Sequence, residues 1–390
     1  MREGRADLLV VVPKLVIGGT ERHLLTVLPR LDPERFAVEL VTTRGPGRLD
    51  EAMRQAGIPV TNAPLSLPGR AALPAALCAL LWRFARRSPD IAHFFLPEAY
   101  LAGGFAARLA PRCRRIMSRR SLNRYHAKHP RMARLERRLH AGMDAVVGNS
   151  EAVVAELRTE GVPDEHLVLI RNGIDTDRFG AASREEARAR LGLEGDSVVM
   201  VMLATLLPYK GHDIVLQALA SVAGDMPADW CLLLAGRDEG IGPALRQQVL
   251  EAGLGDHVRF LGEVDVEAVP ALLAAGDIGL LASREEGSPN AALEGMAAGL
   301  AMVVSDAGGG AEIIEDDVSG RIVPAEQPAA LGQVLLDLSR DAETRGRLAA
   351  VGQARVRQRF SIERCVADYE ALYERVLCGA SPAGSEAPAA

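Results

Sequence analysis

The stretch "IGLLASREEGSPNAALEGMAAGLAMVVS", residues 278–305, decides the fold. It opens on one apolar run, 278–283, and closes on another, 301–305, each of strand length and composition. Between them Ser288 reads as a helix N-cap, Pro289 as the first helical residue and Gly299 as the residue that closes the helix. A strand, a helix and a second strand in so short a span make a βα unit of a parallel sheet.

The same alternation runs in both directions from this unit. Strand-like runs stand at 8–12, 37–43, 91–95, 145–150 and 167–170 in the first half, and at 198–203, 230–236 and 258–262 before the opening stretch. Longer segments of helical period separate them, so the expected fold class is α/β with two doubly wound parallel-sheet domains. "RNGIDTDRFGAAS" at 171–183 is rich in turn formers and lacks periodicity. The expected boundaries are therefore a first domain over 1–171, a linker over 172–183 and a second domain over 184–360. An amphipathic helix follows over 361–378, and then a small, polar tail, 379–390, expected to be disordered.

Composition agrees with two domains. At 390 residues and 48% hydrophobic, the chain can build two ordinary cores, whereas a single domain of this size would be unusual. The longest apolar segment, 71–84, falls short of the roughly 20 residues that span a bilayer, and Pro74 interrupts it. The first residues lack the apolar stretch of a signal peptide. Cys78, Cys113, Cys231, Cys365 and Cys378 lie far apart with no C-x-x-C pair, which fits reduced thiols and a cytoplasmic location.

The net charge of −6 conceals a division. Residues 1–171 carry 27 basic and 17 acidic side chains, while 172–390 carry 18 basic and 34 acidic. Within 108–140 there are 12 basic side chains and one acid, Glu136. Such a block attracts phosphates or an anionic membrane surface, and a solvated helical face is the alternative.

Several residues have the chemistry of a site. Glu286 falls in the loop before the helix and Glu294 inside it, and the helix amides at Asn290 and Ala291, beside Gly287 and Ser288, suit a phosphate. Lys210 follows the first strand of the second domain and can meet a phosphate as a point charge. Gly18 and Gly19 lie in the first βα loop, where glycine lets backbone approach a phosphate closely; Thr20 is a candidate cap there. Gly308, Gly309 and Glu312 suit a helix entry that needs tight packing. Two patterns are set aside: Asp175-Thr176-Asp177 sits in the linker, and His126-x-x-His129 lacks a third ligand nearby, so no metal is assigned.

Glu286 and Glu294 form a Glu-x7-Glu pattern that resembles the donor motif of glycosyltransferase family 4. The likeness continues in "LVIGGTERHLL" (15–25), "DIAHFFLP" (90–97), "MDAVVGNSEAV" (143–153), "LIRNGIDTDRF" (169–179), "LLPYKGHDIVLQAL" (206–219), "VRFLGEV" (258–264) and "SDAGGGAEII" (305–314). The resemblance implies the GT-B fold, two Rossmann-like domains facing an interdomain cleft, with the final helix crossing back to the first domain. It implies a retaining, metal-independent transfer from a nucleotide diphosphate-sugar, UDP- or GDP-linked, to an acceptor hydroxyl, without a cofactor.

On the same resemblance, Glu286, His93 and Lys210 are the catalytic group. Gly18, Gly19, Thr205, Lys210, Glu286, Gly287, Ser288, Asn290, Ala291 and Glu294 bind the donor. Thr205 stands where the family often has an arginine, and Arg237, Arg119 or Arg120 are candidates to supply the missing charge. The acceptor is expected to be a carbohydrate or a lipid-linked one, in polysaccharide, lipopolysaccharide or glycolipid synthesis. Arg119, Arg120, Arg124 and Lys128 are candidates to meet it, or to meet an anionic membrane at the inner face of the cell. No nucleic-acid partner is expected. The alternatives are a GT-B-fold sugar-nucleotide 2-epimerase and a noncatalytic membrane-surface protein of the same fold.

Overall fold

A computed structural model of the chain describes residues 4–16, 18–63, 71–122, 129–180, 182–193 and 196–382. Within them the apolar runs become strands covered by helices, which buries most of their side chains on both faces. The chain divides into two compact units. One holds the residues up to Gly173 together with those from Ile362 onward, and the other is Ile174–Ser361.

The first unit has a seven-stranded parallel sheet: β1 (Ala6–Val12), β2 (Phe36–Thr42), β3 (Val60–Asn62), β4 (Ile91–Phe95), β5 (Arg114–Arg119), β6 (Ala145–Gly148) and β7 (Leu167–Leu169), in the order β3-β2-β1-β4-β5-β6-β7. The order reverses between β1 and β4, so the connections leaving them diverge to opposite faces and open a crevice at their carboxyl ends. The second unit has six parallel strands: β8 (Val198–Leu203), β9 (Trp230–Ala235), β10 (Val258–Gly262), β11 (Ile278–Leu281), β12 (Ala301–Ser305) and β13 (Arg321–Val323), in the order β10-β9-β8-β11-β12-β13. Its reversal lies between β8 and β11.

The last helix, Ile362–Leu377, belongs to the first unit. Its Ile362, Cys365, Tyr369, Leu372, Tyr373 and Val376 recur at helical spacing and join the core formed by Leu8, Val10 and Leu40. Burying a large side chain of this kind contributes roughly 1.5–3 kcal/mol, so the helix is part of the core.

The structure departs from the sequence reading at three places. The stretch expected as a linker is largely built into the second unit: Ile174 donates its amide to the Phe360 carbonyl at 2.8 Å, and Phe179 is buried. Three short strands, β3, β5 and β13, were not anticipated. β5 is the informative one, because it comes from the middle of the basic block yet lies inside the sheet. Finally, the helix after β11 runs Asn290–Ala297, and Pro289 occupies the N-cap position assigned to Ser288. Gly299 lies just past its end at φ +82°, a conformation that favours glycine. Of the tail, Gly379–Pro382 are described, with the Ser381 hydroxyl donating to the Glu165 carbonyl; residues 383–390 lie outside the described residues.

Candidate functional site

In the second unit the crevice between β8 and β11 receives one loop from each strand. The first carries Thr205, two residues past β8, and a short turn, Pro208–Lys210, that ends at Gly211. Gly211 has φ +75°, and a Cβ there would lie 1.9 Å from the Ala282 carbonyl oxygen. Only glycine lets this loop press so closely on the end of β11. Lys210 is thereby held beside the second loop, and its Nζ lies 2.5 Å from Oε1 of Glu286. Ser283, fully buried, donates its hydroxyl to the same carboxylate oxygen at 2.8 Å, and the Gly309 amide donates to the Glu286 carbonyl at 3.1 Å.

Immediately past this pair begins the helix Asn290–Ala297, preceded by the buried Gly287 and half-buried Ser288. Its first residues, Asn290 and Ala291, stand at the positive end of the helix dipole. Glu294 lies further in and is 8% exposed. Lys210, Glu286 and the helix N-terminus thus come together at one end of one sheet, with Glu294 on the second turn of that helix. Arg237, in the same unit, pairs with Glu239. The Gly308-Gly309 turn backs the Glu286 loop through the Gly309 amide.

Arg284 has a part that sequence reasoning missed. Its guanidinium binds both Asp213 oxygens, at 2.8 and 3.0 Å, and the Pro208 carbonyl at 2.5 Å, while its amide donates to the Tyr209 carbonyl. It ties the lysine loop to the glutamate loop. Burial alone would raise the Asp213 carboxyl, yet the pairing with Arg284 holds it below the usual range. The signal available in the sequence was an arginine next to the paired acids 285–286, which is ambiguous by itself.

The first unit treats its expected residues differently. Gly18 caps the helix Gly19–Val27 and Thr20 is already helical. Glu21 is buried, which raises its carboxyl, and its Oε2 would sit 2.5 Å from a Cβ on Gly18. His93, expected to reach a transferred sugar, is instead a core residue. It is 0% exposed on β4, its Nδ1 is 2.9 Å from the Tyr373 hydroxyl and its Nε2 is 2.7 Å from the Ser118 hydroxyl. Burial, with the charge of Arg120 adding to it, pushes its imidazole down to about 3.

Arg119, a candidate to meet an acceptor or a membrane, is 8% exposed and enclosed by Glu136, Glu156 and Glu160, with Nη1 2.5 Å from Glu160, so its charge is largely neutralised within the unit. Arg114 and Arg115 pair with Asp144. Much of the basic block is therefore neutralised where β5 runs. Arg120 remains half-buried at the carboxyl end of β5; Arg124 and Lys128 lie outside the described residues. A cavity of about 600 Å³ opens in this unit at the amino ends of β1 and β2, beside Asp7 and Phe36 and away from the crevice.

Among the described residues no group of three or more His, Cys, Asp or Glu side chains could hold a metal, and no helix is long and apolar enough to cross a membrane. His126 lies outside the described residues.

Two family models match the chain and together span most of it: Glycosyltransferase Family 4 over residues 17–178 and Glycosyl transferases group 1 over 183–355. The chain belongs to glycosyltransferase family 4. The D-inositol 3-phosphate glycosyltransferase of Geodermatophilus obscurus is 29% identical to this family 4 enzyme over 91% of the chain and 84% of its own length. A GDP-mannose-dependent alpha-(1-6)-phosphatidylinositol monomannoside mannosyltransferase of Mycobacterium tuberculosis is 28% identical over 86% of the chain and 89% of its own. Among solved structures, an Anabaena protein in complex with UDP and glucose superposes with a TM-score of 0.82 at 22% identity, covering 95% of this chain and 100% of that one. Sucrose-phosphate synthase from Thermosynechococcus elongatus gives 0.78 at 20% identity, over 96% of this chain and 100% of that one. These likenesses identify the fold as GT-B, and the two Rossmann-like units of this family 4 glycosyltransferase are its two halves.

Proposed function

We infer that the chain transfers a sugar from a nucleotide diphosphate-sugar to an acceptor hydroxyl, with retention of configuration and without a metal or cofactor. The observation that carries this reading is the Lys210–Glu286 pair at the β8/β11 reversal, beside the N-terminus of Asn290–Ala297. An ammonium has three donors, so Lys210 can keep Glu286 and still offer hydrogens to a phosphate oxygen. The helix N-terminus faces the same charge. Lysine and helix dipole then do for the diphosphate what a divalent ion does in other transferases.

In the proposed step the bond between the anomeric carbon and the diphosphate oxygen breaks as the acceptor oxygen bonds to that carbon. The acceptor proton passes to the leaving phosphate, and a nucleoside diphosphate is released. Lys210 and the amides at Asn290 and Ala291 stabilise charge on that leaving group. Glu286 receives hydrogen bonds from sugar hydroxyls, and Glu294 from the ribose. Gly287, Ser288 and Thr205 line the approach, and His93 acts only within the core.

Acceptors are expected to be carbohydrates or lipid-linked molecules of polysaccharide, lipopolysaccharide or glycolipid synthesis, met on the first unit at the inner face of the membrane. Trp82 is 57% exposed with Arg86 at 4.3 Å over its ring, and Arg131, Arg134, Arg137 and Arg138 are exposed on the helix Pro130–His140. This combination suits an anionic bilayer surface. The Mycobacterium relative's name specifies a phosphatidylinositol mannoside acceptor for that enzyme.

The test is calorimetric titration of the whole chain with UDP, GDP and their sugars, followed by product analysis with and without EDTA. Binding of one nucleotide that Lys210→Ala abolishes, and an α-linked product from an α-linked donor undiminished by EDTA, are expected. Inversion, or loss of turnover in EDTA, overturns the corresponding part. Equal partition of the protein with and without anionic vesicles overturns the membrane assignment.

A further inference from the structure

The loops that leave β8, β9 and β11 carry three basic side chains, Lys210, Arg237 and Arg284. Arg284 is gripped by Asp213 and Glu326, and Arg237 by Glu239 two residues on. Lys210 is held in another way. Its Nζ meets Oε1 of Glu286 and also lies over the ring of Tyr209, 5.1 Å from the centroid. That is within the roughly 6 Å over which the negative face of an aromatic ring attracts an ammonium.

Nothing in the core calls for an aromatic residue at this position. Tyr209 is 36% exposed and stands outside both hydrophobic cores of the second unit. Neighbours in sequence do not ordinarily meet either, since consecutive side chains on a 3₁₀ turn diverge by about 120°. The backbone that presents this ring and this ammonium is fixed at several points. Pro208 sets its own φ, Gly211 closes the turn at φ +75°, the Lys210 amide donates to the Leu207 carbonyl at 3.0 Å, and the Arg284 amide donates to the Tyr209 carbonyl at 2.7 Å.

We propose that Tyr209 is a positioning residue for the transfer: its ring, with Glu286, holds the Lys210 ammonium in place before the donor arrives. A lysine stem is flexible, and freezing it at the moment of binding opposes binding. A carboxylate steadies the ammonium by taking a hydrogen and opposing its charge. A ring face steadies it without occupying a hydrogen-bond donor, so the remaining hydrogens stay available to phosphate oxygens. The assignment rests on the reading that Lys210 meets the donor diphosphate, and it adds the side chain on which the aim of that lysine depends.

Lys210 is one of three lysines in the chain, with Lys14 and Lys128, so its own signal can be followed. The full-length protein, grown with ¹³C-labelled lysine, is compared as wild type, Tyr209→Phe and Tyr209→Leu, with Lys210→Ala assigning the resonance. The Lys210 Hε signal should be shifted upfield by the ring in wild type and in the Phe variant, and should lose that shift in the Leu variant. Titration of the same proteins with UDP and GDP should show affinity for the bound nucleotide weakened about three- to tenfold by Tyr209→Leu and restored to within about twofold by Tyr209→Phe. A Lys210 signal that Tyr209→Leu leaves in place overturns the proposal; if affinity falls all the same, the ring touches the nucleotide itself. Equal affinity in wild type and the Leu variant overturns it too. Melting curves report folding, and Tyr209→Gln, also ringless, replaces the Leu variant should that one melt early. Absence of nucleotide binding in wild type would instead count against the donor reading, while the Lys210 signal would still report the contact.

Discussion

Arg284 grips both carboxylate oxygens of Asp213 and so joins the loop that carries Lys210 to the loop that carries Glu286. Arg284 lies outside the Glu-x7-Glu pattern, yet the spacing of Lys210 and Glu286 depends on its pairing with Asp213. Arg284→Ala should lower stability by about 1–2 kcal/mol, since the pair is only partly shielded from solvent. Donor KM should rise more than kcat falls. Because the Asp213 carboxyl is held low in the folded chain, this contribution is complete above the unfolded carboxylate range and fades as pH falls through it. Melts from pH 7 to 3 on both proteins, converging at the acid end, would check the assignment; a constant gap would contradict it.

Lys210→Ala should reduce turnover by about 10²–10³ while changing the melting temperature little, because a surface-accessible ion pair is worth about 0–1 kcal/mol. Unchanged turnover with a nucleotide-sugar removes the lysine from the mechanism.

Gly211→Ala should fail on both counts. The added methyl would meet the Ala282 carbonyl and occupy an unfavourable φ, so the loops must part. A loss of about 2 kcal/mol and of nucleotide binding together is expected. A variant as stable as wild type would mean the loop can be rebuilt without glycine.

His93 contributes to acid stability, as do the similarly buried His23 and His212. Its folded value, about 3, lies below that of an unfolded histidine, so its contribution is full above about pH 6.5 and is lost as pH falls below it. Each such group can cost up to about 1.4 kcal/mol per pH unit in that window. His93→Gln, measured by denaturant unfolding at pH 7.5 and 5, should lose less stability between the two than wild type. Equal losses would show that His93 does not set the slope.

The sequence carried the two sheets because their strands are apolar on both faces, and it carried Lys210, Glu286 and Glu294 because their motif stands on a βα turn. β5 escaped for the converse reason. "RRIMSR" reads as part of a charged surface, and only the folded chain brings Asp144, Glu136 and Glu160 to cancel its arginines. His93 shows the limit of a motif: the letter matched, while the pleat turned the ring toward Tyr373 and Ser118. Arg284 was invisible because its partners lie some seventy positions upstream, at Pro208 and Asp213.

The order in which a ribosome delivers this chain has a consequence. Tyr369 and Tyr373 complete a core whose other members emerge first, so the first unit must wait for the entire second unit to be made. At about 5–20 residues per second that delay is roughly 10–40 s. During it the face of the sheet around Leu8, Leu40 and His93 lacks its cover. A nascent chain in that interval is a natural client for chaperones, and a stop codon near position 360 should yield a sound second half attached to an aggregating first one.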